Sequence, residues 1–189
     1  MTMRVLGALL LAASVLGGSA CGARDRARED ARTADDEAAV QRVALITLFV
    51  TREHAQQLVF WNDSLHLSPT LRLLRDAGVP LVAQTADTAA LRLPMPVHLE
   101  SLTSLEAHFR RYPDGWEAWF RRYPGSSGLV ALTRPTWLPA AADGSVRAAL
   151  VVGRTCGEHC HSAWRLTLAR HPGAPWRSVS VVPIALPRD

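Results

Sequence analysis

Hydrophobic and polar residues alternate along the C-terminal half of the chain, as they do in β-strands that bury one face. Between residues 163 and 169, for example, Trp164, Leu166 and Leu168 alternate with Arg165 and Thr167. The same period predicts strands at residues 129–132, 146–152, 163–169 and 176–182. Because the turn-forming segments between them are short, we expect antiparallel hairpins arranged as a meander.

The N-terminal half has helical periodicity instead. Val40, Val43 and Leu48 lie on one stripe of a helix that the pattern predicts over residues 36–51. Apolar runs that are too short for a helix predict two strands in this half, at residues 58–61 and 79–83.

Capping signals mark two further helices. Ser68 is a good N-cap, Pro69 suits the first helical position, and Gly78 is suited to end the helix with a positive φ. Thr103 and Glu106 have the spacing of a capping box, which predicts that another helix begins there.

A short duplication follows in the chain. The segment FRRYP at residues 109–113 recurs at residues 120–124. Because each copy ends in proline, the pattern predicts two short helices rather than one continuous helix. The arginines in the two copies either place favourable charge at helix C-termini or form a clamp for an anionic ligand. The four candidates for such a site are Arg110, Arg111, Arg121 and Arg122.

Together these elements predict an α+β fold, with N-terminal helices packed on a C-terminal antiparallel sheet of about four strands. The alternative is an α/β arrangement, which would follow if residues 58–83 formed a βαβ unit.

The first twenty-one residues have the layout of an export signal. Arg4 supplies a positive start, residues 5–16 are apolar but too few to span a bilayer, and small residues lead into Cys21. A cysteine at this position resembles the lipobox of bacterial lipoproteins, in which that cysteine becomes the acylated first residue. Two or three acyl chains would anchor the protein firmly to a membrane.

This resemblance implies a division of the chain and a location. We expect a signal peptide at residues 1–20, a lipidated Cys21 with a flexible tether at 21–35, and a single globular domain at 36–189. The protein would then be held at the cell envelope on the periplasmic side. Gly22, rather than an aspartate, follows the cysteine and favours the outer membrane. The alternative is ordinary cleavage after Ala20, which would give a secreted soluble protein.

Composition excludes some partners. With 48% hydrophobic residues the chain is able to bury a core, and its formal net charge is only +4. All 21 basic residues are arginine, a bias that fits a GC-rich genome better than a dedicated anion-binding role. Since like charges form no long block, nucleic acid is a poor candidate partner.

The densest group of reactive side chains is the segment CGEHCH at residues 156–161. In an exported protein the favoured interpretation is a disulfide between Cys156 and Cys160, which would contribute roughly 2 kcal/mol of stability. Two weaker alternatives stay open: a zinc site that uses the thiolates with His159 or His161, and covalent haem at a lengthened C-x-x-C-H motif.

Residues 115–180 resemble a group of secreted bacterial proteins to which no activity is assigned. The shared features are an aromatic helix, a following strand, an Ala-Leu-Val strand and a Cys-Gly…Cys hairpin. In this sequence the residues that carry them are Trp116, Phe120, Tyr123, Pro124, Leu129, Ala149, Leu150, Val151, Cys156, Gly157, Cys160 and Trp176. The resemblance implies a fold and transfers no catalytic residue.

No metalloprotease, P-loop, dinucleotide-binding or nucleophile-elbow motif occurs, so the sequence assigns no catalytic residue and no cofactor. We expect a membrane-anchored binding or envelope-associated protein without catalytic activity. Its partners would be the membrane, through the lipid, and either an envelope component or a small anionic ligand. The alternatives are an extracytoplasmic hydrolase of unrecognised type and a metal or haem carrier at residues 156–161.

We predict that the mature chain begins at an acylated Cys21 and contains one disulfide. Intact mass spectrometry checks both points, because the mass in excess of residues 21–189 counts the acyl chains and reduction adds two hydrogens. An unprocessed chain in the cytosol, with all three cysteines reactive towards Ellman's reagent, would contradict the prediction.

Overall fold

The computed structural model describes residues 33–63, 65–81, 83–84, 88–139 and 141–186. The helices among them are α1 (33–45), α2 (Pro69–Asp76), α3 (Thr88–Leu91), α4 (Leu102–Arg111) and α5 (Trp116–Arg122). The strands are β1 (Gln57–Trp61), β2 (Ala83–Gln84), β3 (Val97–Glu100), β4 (Ser126–Thr133), β5 (Thr136–Leu138), β6 (Val146–Thr155), β7 (His161–Arg170) and β8 (Arg177–Ile184). The chain divides into two units, Met1–Asp36 and Glu37–Asp189, and the fold described below is that of the second.

The strands form one mixed sheet in the order β3-β1-β4-β6-β7-β8. β1 lies parallel to both β3 and β4, whereas β4, β6, β7 and β8 pair antiparallel in succession. The short strands β2 and β5 pair with β4 and β6 respectively.

The α+β class and the four-strand C-terminal meander are therefore confirmed, but the predicted sheet of about four strands is too small. The described residues contribute eight strands, because the N-terminal half adds β1, β2 and β3 to the sheet and the short β5 pairs with β6. The physical reason lies in β1, whose residues Leu58 to Trp61 are all buried. The apolar run predicts this strand, but a strand buried on both faces has no alternation of buried and exposed residues that would indicate which sheet it belongs to.

The helices cover both faces of the sheet, and a separate apolar core fills each side. On one face α1 contributes Val40, and the π-helical segment Ile46–Arg52 that follows it contributes Leu48 and Phe49. These residues pack with strand residues such as Phe60 and Leu166. On the other face lie α2, α4 and α5, whose core residues include Leu71, Leu105 and Trp119. None of the described helices combines the length and apolarity needed to cross a bilayer.

The helix ends follow the capping rules with two corrections. Ser68 caps α2 through its side chain, which accepts from the backbone N–H of Leu71 at 3.3 Å. The capping box of α4 is formed by Ser101 and Ser104, so the prediction of Thr103 and Glu106 was wrong by two residues. The first helix includes residue 33, three residues before its predicted start, and its C-terminal turns, Ile46–Arg52, are π-helical.

One glycine lets β4 approach the end of β6. Gly128 has φ +105°, and an added Cβ would overlap the carbonyl oxygen of Thr155 and lie 3.0 Å from Cα of Cys156. We predict that Gly128→Ala lowers the free energy of unfolding by at least about 3 kcal/mol, since backbone strain and a clash with backbone combine. Urea unfolding measures the change.

The matched control is Gly144→Ala. Gly144 also has a positive φ, +74°, but nothing lies within 4 Å of an added Cβ. We expect this variant to lose only about 1 kcal/mol, from the left-handed conformation alone. Equal losses in the two variants would show that the close approach to Thr155 costs nothing.

Candidate functional site

The parallel pairing of β1 and β3 places two strand ends side by side. The backbone N–H of Asn62 donates to the carbonyl oxygen of Glu100 at 2.7 Å, just beyond the paired residues Trp61 and Glu100. Crevices at the carboxyl ends of parallel strands are frequent ligand sites in sheets that carry helices on both faces.

Asp63 fixes the loop that follows β1. Its carboxylate accepts from the backbone N–H groups of Leu65, His66 and Leu102, at 2.9 to 3.2 Å. Burial alone would raise the pKa of Asp63, but these hydrogen bonds outweigh it and the pKa is lowered. The ionised carboxylate therefore ties the start of α4 to the end of β1.

The carboxylate of Glu100 lies at the centre of the site and is only 3% exposed. One oxygen accepts from the hydroxyl of Tyr123 and pairs with a guanidinium nitrogen of Arg122 at 3.1 Å. The other accepts from the hydroxyl of Ser104. A buried carboxylate is tolerated only when its oxygens are paired in this way, so the three donors form a connected polar network.

Tyr123 joins this network to the rings around it. Burial first, and then its hydrogen bond to the Glu100 carboxylate, raise the pKa of Tyr123 to about 12. The guanidinium of Arg122 lies 4.9 Å from the centre of the Tyr123 ring, and the ring of His98 lies 5.1 Å away on centroids. The phenol is thus held neutral and donates to Glu100 rather than to a ligand.

These residues line an open cleft of about 490 Å³. Its walls are formed by Asn62, His98, Leu99, Glu100, Ser101, Ser104, Arg122 and Tyr123. The Glu100 oxygens are occupied by protein donors, and Arg122, with 48% of its side chain exposed, adds a positively charged donor to the wall. Such an arrangement suits an anionic group better than a cationic one.

The sequence-predicted arginines are distributed unequally around this cleft. Arg121 and Arg122 line a second cavity of about 280 Å³, together with His108, Tyr112 and Ala118. Arg121 is also paired with Asp114 and, at 3.4 Å, with Glu117. The hydrogen bond between Arg121 and Asp114 lowers the pKa of Asp114 and raises that of Arg121.

Arg110 and Arg111 stand at the exposed end of α4. The guanidinium of Arg111 lies 5.6 Å from the centre of the Tyr112 ring. The walls of the two cavities described so far include neither residue. A clamp that uses all four arginines stays a prediction.

The central residues of the cleft were missed by sequence reasoning. Glu100, Ser104 and Tyr123 come from β3, α4 and the end of α5, and no local motif links them. One signal was present: Glu100 lies between a strand pattern and a helix N-cap. An acidic residue that becomes buried at such a position requires hydrogen-bonding or charged partners.

The disulfide between Cys156 and Cys160 is confirmed, with 5.0 Å between the two Cα atoms. It closes the turn between β6 and β7, where the N–H of Cys156 donates to the carbonyl oxygen of Cys160 at 2.7 Å. Such a disulfide indicates an oxidising, extracytoplasmic setting. Both sulfur atoms are used by the bond, and among the described residues no group of three or more metal-binding side chains includes His159 or His161. Cys21 lies outside the described residues.

Comparisons with models of protein families, with curated proteins and with solved structures find no match to this chain. The Cys156–Cys160 hairpin expected from the resemblance is present, and the family itself is not shown. The proposed function therefore rests on the geometry of the site.

The Tyr123–Glu100 contact predicts a specific dependence of stability on pH. Because the folded-state pKa of Tyr123 is raised from 10 to about 12, the stability that the neutral phenol contributes is complete below pH 10 and is lost as the pH rises through about 12. Tyr123→Phe should unfold more easily at neutral pH, by about 1–2 kcal/mol, because one donor to Glu100 is removed. This variant should also lack the loss of stability that the original protein shows above pH 10.

The measurement is urea unfolding of both proteins from neutral pH to about pH 11.5. We expect the stability difference between them to narrow above pH 10. Parallel curves throughout that range would contradict the raised pKa of Tyr123.

Proposed function

We propose that the protein is a non-catalytic binding protein of the cell envelope, anchored by a lipid on Cys21, and that the cleft beside Glu100 holds a small anionic ligand. The disulfide between Cys156 and Cys160 supports the extracytoplasmic part of this proposal. The lipid anchor rests on the sequence pattern before Cys21.

One observation carries the ligand proposal. Arg122 pairs with the buried carboxylate of Glu100 and contacts the ring of Tyr123, while about half of its side chain is exposed to solvent and the residue lines the cleft. An arginine fixed in this way loses little conformational freedom when a ligand binds, and that raises affinity. Its planar guanidinium is suited to a carboxylate or a phosphate.

The surroundings of Arg122 favour a small polar ligand. The cleft is open rather than enclosed, and Asn62, His98 and Ser101 add further polar side chains to its walls. Of the residues that line it, Glu100 is the acidic one, and its charge is neutralised by Arg122 within the network. A ligand with one or two carboxylate or phosphate groups therefore meets donors and little repulsion.

Proton transfer at this site is disfavoured. A nucleophile needs a free hydroxyl and a base that is available to take its proton. The Ser104 hydroxyl donates to Glu100 and also accepts from the backbone N–H of Ser101 at 2.8 Å, which completes the cap of α4. Glu100 is likewise occupied by Tyr123 and Arg122. Because these hydroxyl and carboxylate groups are already hydrogen-bonded within the protein, the site favours binding over the hydrolase alternative.

We predict that Arg122→Gln weakens binding at the cleft by at least about tenfold, since a charge-assisted hydrogen bond contributes roughly 1.5–3 kcal/mol. Isothermal titration calorimetry with succinate, citrate and inorganic phosphate as probes measures the effect on the full-length protein. The weakening should diminish at high salt, because part of the attraction is screened.

Arg110→Gln is the matched control. It removes the same charge from an exposed arginine that is not part of the wall of the cleft. We expect its affinity for the probes to stay within about twofold of the original, as is usual for a distant surface charge. If the two variants lose the same affinity, the attraction is a general effect of net charge and the cleft is not the site.

A further inference from the structure

Trp137 and Val146 expose apolar side chains next to each other at one end of the sheet. Trp137 of β5 pairs with Ala148 of β6, and Val146 lies two residues before Ala148 on the same strand. Because side chains alternate between the two faces of a strand, Trp137 and Val146 point to the same face. They are 39% and 43% exposed. Adjacent apolar side chains at a surface often mark a place where a protein contacts another molecule.

An arginine completes this surface. Arg170 of β7 pairs with Val146 and therefore lies on the same face. Its guanidinium lies 4.9 Å from the centre of the Trp176 ring, and that ring lies 5.8 Å from the ring of Trp137 on centroids. Trp176 is buried in the core, so Trp137 and Arg170 both rest on a fixed support. The three residues Trp137, Val146 and Arg170 are called the tryptophan surface below.

Net charge contributes little at the tryptophan surface. Asp143 lies in the turn before β6, and its carboxylate is 3.8 Å from Nε2 of His171, the residue that follows Arg170. Hydrogen bonds from Ser145 lower the pKa of Asp143, which therefore stays ionised at neutral pH. Its negative charge offsets part of the charge of Arg170. We therefore expect the burial of apolar side chains, rather than long-range attraction, to hold a partner here.

The chain enters its second unit close to the tryptophan surface. Glu37 is the first residue of that unit, and its buried carboxylate accepts from the guanidinium of Arg134 at 2.9 Å. Arg134 precedes Trp137 by only three residues, so the short connection between β4 and β5 links the entry point to the surface. Cys21 lies sixteen residues before Glu37, a length of chain that spans at most about 55 Å. A lipid on Cys21 would therefore keep this end of the unit within reach of a bilayer.

We propose that the tryptophan surface docks on the membrane to which the chain is anchored. Trp137 and Val146 would lie at the boundary between lipid headgroups and acyl chains, where tryptophan rings are favoured, and Arg170 would bind a lipid phosphate. The inference rests on the lipid anchor of the proposed function. Because the anchor makes docking an intramolecular step, a small surface suffices to hold the domain in one orientation.

Docking in this way would leave the proposed ligand cleft open to solution. The core that contains Trp176 lies on the face of the sheet that α1 covers. The cleft is lined by residues of α4 and of the end of α5, and these helices pack on the other face. The docked domain would therefore turn the face of α1 towards the membrane and the cleft away from it.

The test uses the full-length acylated protein in vesicles of phosphatidylcholine and phosphatidylglycerol whose acyl chains carry bromine, which quenches tryptophan fluorescence only at short range. We expect brominated vesicles to quench part of the emission, and Trp137→Phe should lower the quenched fraction at least about threefold, since the variant stays apolar but loses the reporter. Trp116→Phe is the control, because it removes a half-buried tryptophan of α5. Equal quenching in the two variants would overturn the proposal.

A matched pair of valines tests the docking itself. Val146→Asp places a charge on the tryptophan surface and should lower the quenching at least about fivefold, because a carboxylate is unfavourable at the membrane boundary. Val182→Asp is the control: Val182 is 53% exposed and pairs with Arg165, just as Val146 pairs with Arg170. This variant should be quenched as strongly as the original protein, and a similar loss in both variants would contradict the assigned surface.

Failure of the docking and failure of the anchor give different results. An acylated protein that sediments with the vesicles but shows no quenching that depends on Trp137 overturns the docking and leaves the anchor intact. A chain without acyl groups that stays in solution overturns the anchor and the docking with it. If Val146→Asp lowers co-sedimentation with purified peptidoglycan and leaves the quenching unchanged, the surface binds a polysaccharide and the assignment to a membrane is wrong.

Discussion

The burial of one carboxylate constrains how the helices sit on the sheet. Glu100 is almost fully buried at the end of the edge strand β3, and a charge in that place is strongly destabilising unless donors surround it. The donors come from three successive parts of the chain: Ser104 in α4, Arg122 at the end of α5 and Tyr123 just after it. Satisfying this single charge therefore fixes both helices against β3, and the ligand cleft is the space that the arrangement leaves open.

Local sequence patterns predicted the strands of the C-terminal half, but they did not predict how the strands of the N-terminal half pair with them. Buried residues of β7 largely alternate with more exposed ones, and a short turn connects this strand to β6, so the hairpin that they form follows from neighbouring sequence. β1 was recognised as a strand from its apolar run, but its parallel partners are far away in the chain: Leu58 pairs with Val97, and Phe60 pairs with both Leu99 and Val130. No periodicity records a pairing over such distances, so the sheet was predicted too small.

The same difference between local patterns and long-range contacts applies to the candidate sites. The disulfide was predicted from the spacing of Cys156 and Cys160 and from the predicted export signal, and both are local patterns in the sequence. The arginines of the repeated FRRYP segment were noticed as a group, yet the structure distinguishes them by their partners. Arg122 faces the buried Glu100, Arg121 faces Asp114, and Arg110 and Arg111 stand exposed at the end of α4. Sequence patterns identify the residue type, whereas a long-range carboxylate decides which arginine is held in place.

The proposed ligand cleft holds its cationic side chain through contacts with the protein. The guanidinium of Arg122 pairs with Glu100 at 3.1 Å and lies 4.9 Å from the centre of the Tyr123 ring. The hydroxyls of Ser104 and Tyr123, which would have to exchange protons during catalysis, already donate to Glu100. A protein that holds its donors in this way is suited to select ligands by charge and shape. That physical property, rather than any motif, is the reason we propose a binding role for the chain.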